Sequence, residues 1–275
     1  MRMEKLKKLK TLIVLLMITV SVMILPSCVI SSQTDETNDK TMSFVNGVYE
    51  NEIITANFLV EFKMFQTNVF GKRVNEVTSK GSAVVFDVEN PSTATGVYTY
   101  YLLTNNHVVY ENPVYSGCEC VITDCYGASY TANVLYKDAD YDLAVLSFEC
   151  REDYKVLSFA LLDPQVDDAV MSIGSPLGVL NAVTVGKVSE YTKIALSVED
   201  GNKEEMSNVQ FDVIHHTAYV NNGSSGGVLL DENYRICGIN YAAEMDGDKY
   251  IGSYAVPVTK VVEFINMQNQ ESNLS

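Results

Sequence analysis

The sequence is poor in basic residues, poor in histidine and short of long apolar runs. Nineteen Lys and Arg stand against 35 Asp and Glu, a formal charge of -16 over 275 residues. A chain this acidic repels phosphate backbones, so nucleic-acid binding through a basic face is excluded. Only three His are present, and none lies near Cys118, Cys120 and Cys125. Their C-x-C-x4-C spacing is not a zinc pattern, so no metal is expected. There is no Gly-rich phosphate loop, internal repeat or low-complexity tract, and no cofactor is implied. Hydrophobic residues still make up 47% of the chain, which excludes disorder for most of it.

The basic charge that exists is concentrated at one end. Residues 1–10 hold Arg2, Lys5, Lys7, Lys8 and Lys10 against Glu4, and residues 11–27 hold no charge, leaving 14 basic against 34 acidic residues from Cys28 onward. Residues 11–25 read TLIVLLMITVSVMIL. Fifteen residues suit a signal-peptide core, whereas a membrane-spanning helix needs about 20. Leu25-Pro26-Ser27-Cys28 resembles the bacterial lipobox, in which Cys28 receives the lipid; two acyl chains give stable anchoring where one does not. The alternative is an uncleaved signal anchor. Residues 28–48 are polar and aperiodic and read as a flexible tether. Five cysteines remain, Cys118, Cys120, Cys125, Cys150 and Cys237. That number is odd, so at least one thiol stays unpaired in a monomer. Their pattern suits small apolar residues on strands.

From residue 58 onward, short β-branched and aromatic runs alternate with turn signals, among them residues 82–88, 98–103, 130–136, 143–148, 169–173, 183–188, 209–214, 228–230, 236–241 and 250–256. Such spacing predicts an all-β barrel or sandwich protein. A polar gap near residues 162–165 divides the series, and two barrels of about 100 residues each fit. Only residues 51–62 and 258–267 have a helical pattern.

Three places carry candidate chemistry. His107 leaves an apolar strand in Leu103-Thr104-Asn105-Asn106-His107-Val108-Val109, and Asp142 opens the apolar strand Leu143-Ala144-Val145-Leu146. Ser225 lies in the turn Asn222-Gly223-Ser224-Ser225-Gly226-Gly227. There Gly226 and Gly227 let the chain turn sharply, and Gly223 lets a peptide N–H approach a ligand. Alone, each is ordinary. Together they follow the order His, Asp, Ser of the chymotrypsin triad, which is the worked case for this chemistry. His215 and His216 are adjacent on an expected strand, so they point to opposite faces and do not share a metal.

The chain resembles the HtrA (DegP-like) branch of the chymotrypsin-fold serine proteases over about residues 51–268. Gly81 to Asp87 is similar to the strand before the catalytic His, 103–109 to the TNxHVV motif, and 138–146 to the D-x-x-x-D-L-A-V-L strand. Residues 173–178, 183–189, 236–243 and 252–257 are similar to the IGxPxG, VTxGxVS, xGINxA and GxAxP segments, in the family's order. The resemblance implies two six-stranded antiparallel β-barrels, about 55–155 and 165–257, within a protease domain at 49–268, with a C-terminal helix and a tail at 269–275. It implies Ser225 as nucleophile, His107 as general base and acid, Asp142 as its orienting carboxylate, and the Gly223 and Ser225 N–H groups as oxyanion hole. Polypeptides would be the substrates, at the outer face of a bacterial membrane. Tyr219, six residues before the nucleophile, would lie at the base of the first specificity pocket, and Ile239, Asn240 and Tyr241 would pair with the substrate backbone.

Departures from the family pattern are Asn222 for Pro, Ser224 for Asn and Val228 for Pro, none of them a reacting group. Ser224 also excludes the ion pair by which digestive proteases capture a freed amino terminus. Only 18 residues follow Pro257, too few for the family's PDZ domain. Trimers are common in the HtrA branch and depend on residues before the first barrel; residues 51–65 are aromatic-rich here but do not carry that segment's pattern, so a homotrimer stays an open expectation. The competing reading is a catalytically silent scaffold or binding lipoprotein, and a third is an enzyme whose oxyanion loop rests collapsed until substrate orders it.

Overall fold

The structure, a computed structural model, describes residues 33–89, 96–194, 203–246 and 249–272. The expected signal peptide at 1–27, the lipid site Cys28 and residues 273–275 of the tail lie outside the described residues. The chain divides into residues 1–40, of which 33–40 are described as helical backbone, and residues 41–275, which hold the rest of the fold.

Among the described residues, twelve strands form two closed antiparallel barrels of six. The first contains β1 (Asn57–Thr67), β2 (Arg73–Glu89), β3 (Tyr98–Thr104), β4 (Gly117–Thr123), β5 (Ser129–Asp138) and β6 (Leu143–Cys150), in the order β1-β2-β3-β6-β5-β4. The second contains β7 (Ala169–Gly174), β8 (Ala182–Thr192), β9 (Val213–His216), β10 (Val228–Leu230), β11 (Ile236–Asp246) and β12 (Lys249–Pro257), in the order β10-β11-β12-β9-β8-β7. Closure satisfies strand edges that would otherwise invite other chains. The strand β6, flanked by β3 and β5, is buried at every position but Glu149, which is why it reads as a continuous apolar run rather than an alternating one. Phe58, Tyr100, Phe148 and Tyr154 fill barrel 1, with ring centroids 4.9 to 6.0 Å apart. The Tyr154 hydroxyl, buried with them, donates to Asp124 Oδ2 at 2.6 Å.

The barrels are joined by polar contacts as well as by packing. Asn57 Nδ2 donates to Asn181 Oδ1 at 2.7 Å. The connection between barrels lies along barrel 2, where Ile236 N–H donates to Ser158 O and Ala160 N–H to Ile236 O, each at 2.9 Å. The C-terminal helix (Val258–Ser272) buries Val258, Val261 and Phe264 at three-residue spacing, the stripe a surface helix needs.

Two expectations are corrected. Residues 28–48 are expected to be a tether; its part at 28–32 lies outside the described residues, and over 33–48 the chain is instead helical, in α1 (Gln33–Glu50). Phe44 and Val48, four apart on one face, explain it: Val48 is fully buried and the Phe44 ring lies 5.4 Å from that of Tyr234. Gly47 lets Tyr234 in, since a Cβ there would meet its hydroxyl oxygen. Tertiary burial overrides a polar composition of low helix propensity. Residues 51–62 were read as helical, but they form a 3-10 turn at Ile53–Ala56 and then enter β1. Glu52, at φ 60, ends α1. In the following run Phe58 is laddered to β2 and Leu59 and Val60 to both β2 and β4, and ladder formation with β-rich side chains decides its conformation.

Candidate active site

His107 sits in a one-turn 3-10 segment, Asn106–Val108, directly after β3. Asp142 is the residue before β6 and adopts φ 48, a left-handed conformation that Asp tolerates better than most residues. Its carboxylate is fully buried and makes two contacts with one partner. Oδ1 accepts the His107 backbone N–H at 2.8 Å, and Oδ2 lies 2.6 Å from His107 Nδ1. The Asp142 carbonyl accepts Asn105 Nδ2 at 2.8 Å. Three hydrogen bonds therefore fix the aspartate to the turn that carries the histidine. With Nδ1 facing a carboxylate, the proton sits on Nδ1 and Nε2 is left as the acceptor. Asn106 Nδ2 fastens the same turn to the Glu205 and Met206 carbonyls of the short helix α2 (Lys203–Met206), at 3.0 and 2.8 Å.

Ser225 is held by the other barrel. Gly226 N–H donates to Asn240 O at 2.9 Å, Asn240 N–H to Gly227 O at 2.8 Å, and Gly227 N–H to Ser224 O at 2.9 Å. Gly226, at φ 83, packs where a Cβ would lie 2.2 Å from Ser82 O. Barrel 1 completes the support through Ser82 of β2. Its N–H donates to Ser225 O at 2.7 Å, its hydroxyl donates to Gly223 O at 2.8 Å, and the same oxygen accepts Ser175 N–H at 2.8 Å. Gly81 marks how closely the parts meet: a Cβ there would be 2.6 Å from the Val108 side chain and 2.9 Å from Ser225 O. The serine thus lies against the histidine-bearing turn. Its hydroxyl is 3.5 Å from the Tyr241 carbonyl oxygen, at the outer limit of a hydrogen bond. Among the described residues no hydrogen bond joins it to His107 Nε2.

The Asn222–Gly223 peptide is oriented by a contact that the sequence did not announce. The Asn222 carbonyl accepts Leu177 N–H at 2.7 Å. A trans peptide points its C=O and N–H in opposite directions, so the Gly223 N–H is turned away from the loop that carries Leu177. Gly223 has φ 96, and a Cβ on it would meet Ser175 O at 2.7 Å. Leu177 itself adopts φ 54, a strained position for a side-chain-bearing residue. Among the described residues neither Gly223 N–H nor Ser225 N–H has a protein acceptor. Ser82 and Leu177 were missed as supports because both act through groups that a sequence shows only as part of the segments 81–87 and 173–178.

The expected substrate contacts separate. Tyr219 is 44% exposed; its ring packs on Tyr250 at 4.8 Å, and its hydroxyl accepts Asn221 Nδ2 at 2.9 Å. Behind it, Val220 N–H donates to Ser253 Oγ at 3.2 Å, Ser253 Oγ and Tyr250 Oη are 2.5 Å apart, and Tyr250 donates to Ala218 O at 3.3 Å. Tyr250 and Ser253 thus support the segment that carries Tyr219. Ile239 is laddered to both β10 and β12, and both backbone groups of Asn240 are engaged by Gly226 and Gly227. The side chain of Asn240 donates to Ser172 Oγ at 2.8 Å inside the barrel. Of the three strand residues, Tyr241 brings a backbone group to Ser225. From Ala242 on, β11 is laddered to β12 alone among the described residues, so the open edge lies later in the strand than residues 239–240.

His215 and His216 do point apart. His215 stacks on Tyr254 at 5.0 Å with Nδ1 3.4 Å from Glu190. His216 is fully buried, and burial pushes its pKa down to about 3, so it is neutral. Burial also pushes the Cys120 and Cys125 thiols up to about 12 and Cys150 to about 11, which removes their nucleophilicity. Cys118 is exposed, and all five cysteines of the folded part are free thiols.

Residues 81–239 match the trypsin-like peptidase domain family. The chain is 31% identical over 199 residues to the serine protease Do-like HtrA of Lactobacillus helveticus, covering 70% of this chain and 43% of that protein. It is 31% identical over 189 residues to the protein of that name from Bacillus subtilis, covering 67% and 38%. Over 159 residues it is 33% identical to a probable periplasmic serine endoprotease, DegP-like, of Chlamydia trachomatis, covering 57% and 29%. The chain thus spans less than half the length of these curated relatives. Among solved structures, the HtrA-type protease AlgW with a decapeptide superposes with a TM-score of 0.63 at 21% identity, covering 83% of this chain and 67% of that one. That likeness is one of fold.

Proposed function

From the premise that the chain belongs to the trypsin-like peptidase family, we propose that it is an HtrA-like serine endopeptidase. It hydrolyses exported or misfolded polypeptides at the outer face of a bacterial membrane. The observation that carries the reading is the His107–Asp142 pair, closed at 2.6 Å, with Ser225 held against the same turn from the facing barrel. A structural role for His107 alone needs no buried carboxylate on Nδ1 and no glycine-flanked serine opposite.

In the mechanism, substrate enters and the Ser225 hydroxyl rotates from the Tyr241 carbonyl toward His107 Nε2. Free enzymes commonly hold such contacts loosely and tighten them on binding. Oγ then attacks the scissile carbonyl carbon while Nε2 takes the proton. Asp142 keeps the imidazole in the required tautomer and stabilises the imidazolium. Negative charge develops on the former carbonyl oxygen, where the Gly223 and Ser225 N–H groups donate to it. One such donor contributes about 3–4 kcal/mol to the transition state. The protonated His107 gives its proton to the departing amine, and water then repeats the sequence to release the acyl group. The Leu177 contact to Asn222 favours an oxyanion hole formed before substrate arrives over a collapsed one.

Substrate would lie along β11 beyond Asn240, adding a strand to its open edge, with its first side chain directed toward Tyr219. Residues 1–27 serve as the export signal and Cys28 as the lipid site, with 49–268 as the protease domain and a homotrimer as the assembly. The test is casein hydrolysis by Ser225→Ala and wild-type protein. Loss of hydrolysis in the variant, with unchanged circular dichroism, is expected; retained hydrolysis removes Ser225 from the mechanism.

A further inference from the structure

We propose that the hairpin tip between β1 and β2 is a membrane-contact element, in which Val69 and Phe70 enter the lipid surface to which the chain is tethered. The proposal rests on the anchored-lipoprotein reading above.

Val69 and Phe70 are 95% and 90% exposed, the two most exposed large hydrophobic side chains among the described residues. They sit on a built turn rather than a loose one. Asn68 N–H donates to Lys72 O at 3.0 Å and Gly71 N–H to Asn68 O at 2.9 Å. Asn68 Oδ1 accepts the N–H groups of Phe70 and Lys72, each at 3.0 Å. The N–H groups of Asn68, Phe70, Gly71 and Lys72 are therefore all satisfied within the turn. Hydrocarbon offers backbone groups no partners, so each N–H paired within the turn lowers the cost of leaving water, while the Val69 N–H, which has no partner in the turn, limits the tip to a shallow position at the headgroups.

The surroundings agree. Val114, 67% exposed, belongs to the same rim, where its carbonyl accepts Gln66 Nε2 at 3.2 Å from the end of β1. Lys72 follows the apolar pair and makes no ion pair among the described residues, while Arg73 is taken up by Glu119 at 2.7 Å. Lys72 sets a local cation beside the apolar wedge, where it meets lipid phosphate against the repulsion of a chain whose net charge is -16. A protein partner needs about 1,000 Å² of matched surface, and a two-residue tip supplies far less. A lipid surface asks for no matched shape. The wedge alone is weak, but the basic and apolar segment at residues 1–28 would hold the chain at the membrane and make its insertion intramolecular.

The chain contains no tryptophan, so Phe70→Trp creates a single fluorescent reporter at the tip. The full chain carrying it would be reconstituted into phosphatidylcholine vesicles containing phosphatidylglycerol, with and without brominated acyl chains, and separated by flotation. The expected result is flotation, a blue-shifted emission and quenching by the brominated chains. In the wild-type chain cut free of residues 1–28, Val69→Ser with Phe70→Ser lowers vesicle partitioning by about tenfold or more. The paired serines leave hydrolysis of a soluble peptide unchanged. Flotation without quenching overturns the tip proposal and leaves the anchor reading standing. No flotation overturns both. A blue shift without vesicles that grows with protein concentration also overturns it, because a second copy would then cover the tip.

Discussion

Ser82 ties the two halves of the site together with one hydroxyl. It donates to Gly223 O and accepts Ser175 N–H, both at 2.8 Å and both buried. Ser82→Ala leaves those two groups unpaired, and a buried unpaired group costs about 1–3 kcal/mol. Urea unfolding is expected to report a loss of that order, and kcat on an unfolded substrate to fall more than KM changes. A variant of unaltered kcat would detach Ser82 from the oxyanion segment. Tyr219 supplies a second residue-scale expectation. Its ring and that of Tyr250 stand 4.8 Å apart where the first substrate side chain is proposed to lie. Tyr219→Ala is expected to raise kcat/KM for substrates with Phe or Leu at that position relative to Ala, by about 10- to 100-fold, the value of one or two methylenes in a pocket. An unchanged ranking in a peptide panel would show that Tyr219 faces elsewhere. The proposed reacting groups could be named from the sequence, because His107, Asp142 and Ser225 sit in segments whose order and flanking glycines have a chemical reason. Leu177 and Ser82 were not, since a backbone N–H and a small hydroxyl leave no distinctive pattern.

At the scale of elements, most strands could be read from β-branched runs bounded by turns, and the two errors share one cause. Helix α1 was hidden because its packing, by Phe44, Val45, Val48 and Tyr49, is confined to its last two turns at the end of a polar stretch. The strand β1 was hidden because one of its two neighbours, β4, lies more than fifty residues on, so its ladder cannot be read locally. In each, long-range burial decides what local propensity does not. Val48→Ala removes two buried methyl groups from α1 and is expected to destabilise the protein by about 1–2 kcal/mol. Hydrogen exchange should then show earlier loss of protection in residues 41–50 than in β6. Equal protection in variant and wild type would mean that Val48 does not hold the helix.

At the scale of the whole molecule, the acidic chain carries a buried neutral imidazole. His216 has a folded pKa of about 3 against an ordinary 6.5. Between those values the unfolded chain binds a proton that the folded chain refuses, so stability rises with pH across that window and falls as the solution is acidified through it. The slope from this group approaches about 1.4 kcal/mol per pH unit. Urea midpoints at pH 7 and pH 4 should therefore diverge more for wild type than for His216→Asn; equal divergence would remove His216 as a cause. The architecture explains why so much depends on the barrel interface. His107 and Asp142 belong to one barrel and Ser225 to the other, and Ser82 spans the gap. The most direct test of the central claim is reaction of the folded chain with a fluorophosphonate, followed by peptide mapping. A single adduct on Ser225, absent from the His107→Ala variant, is predicted. An unlabelled Ser225 in a folded wild-type chain, or labelling indifferent to His107, would contradict the account.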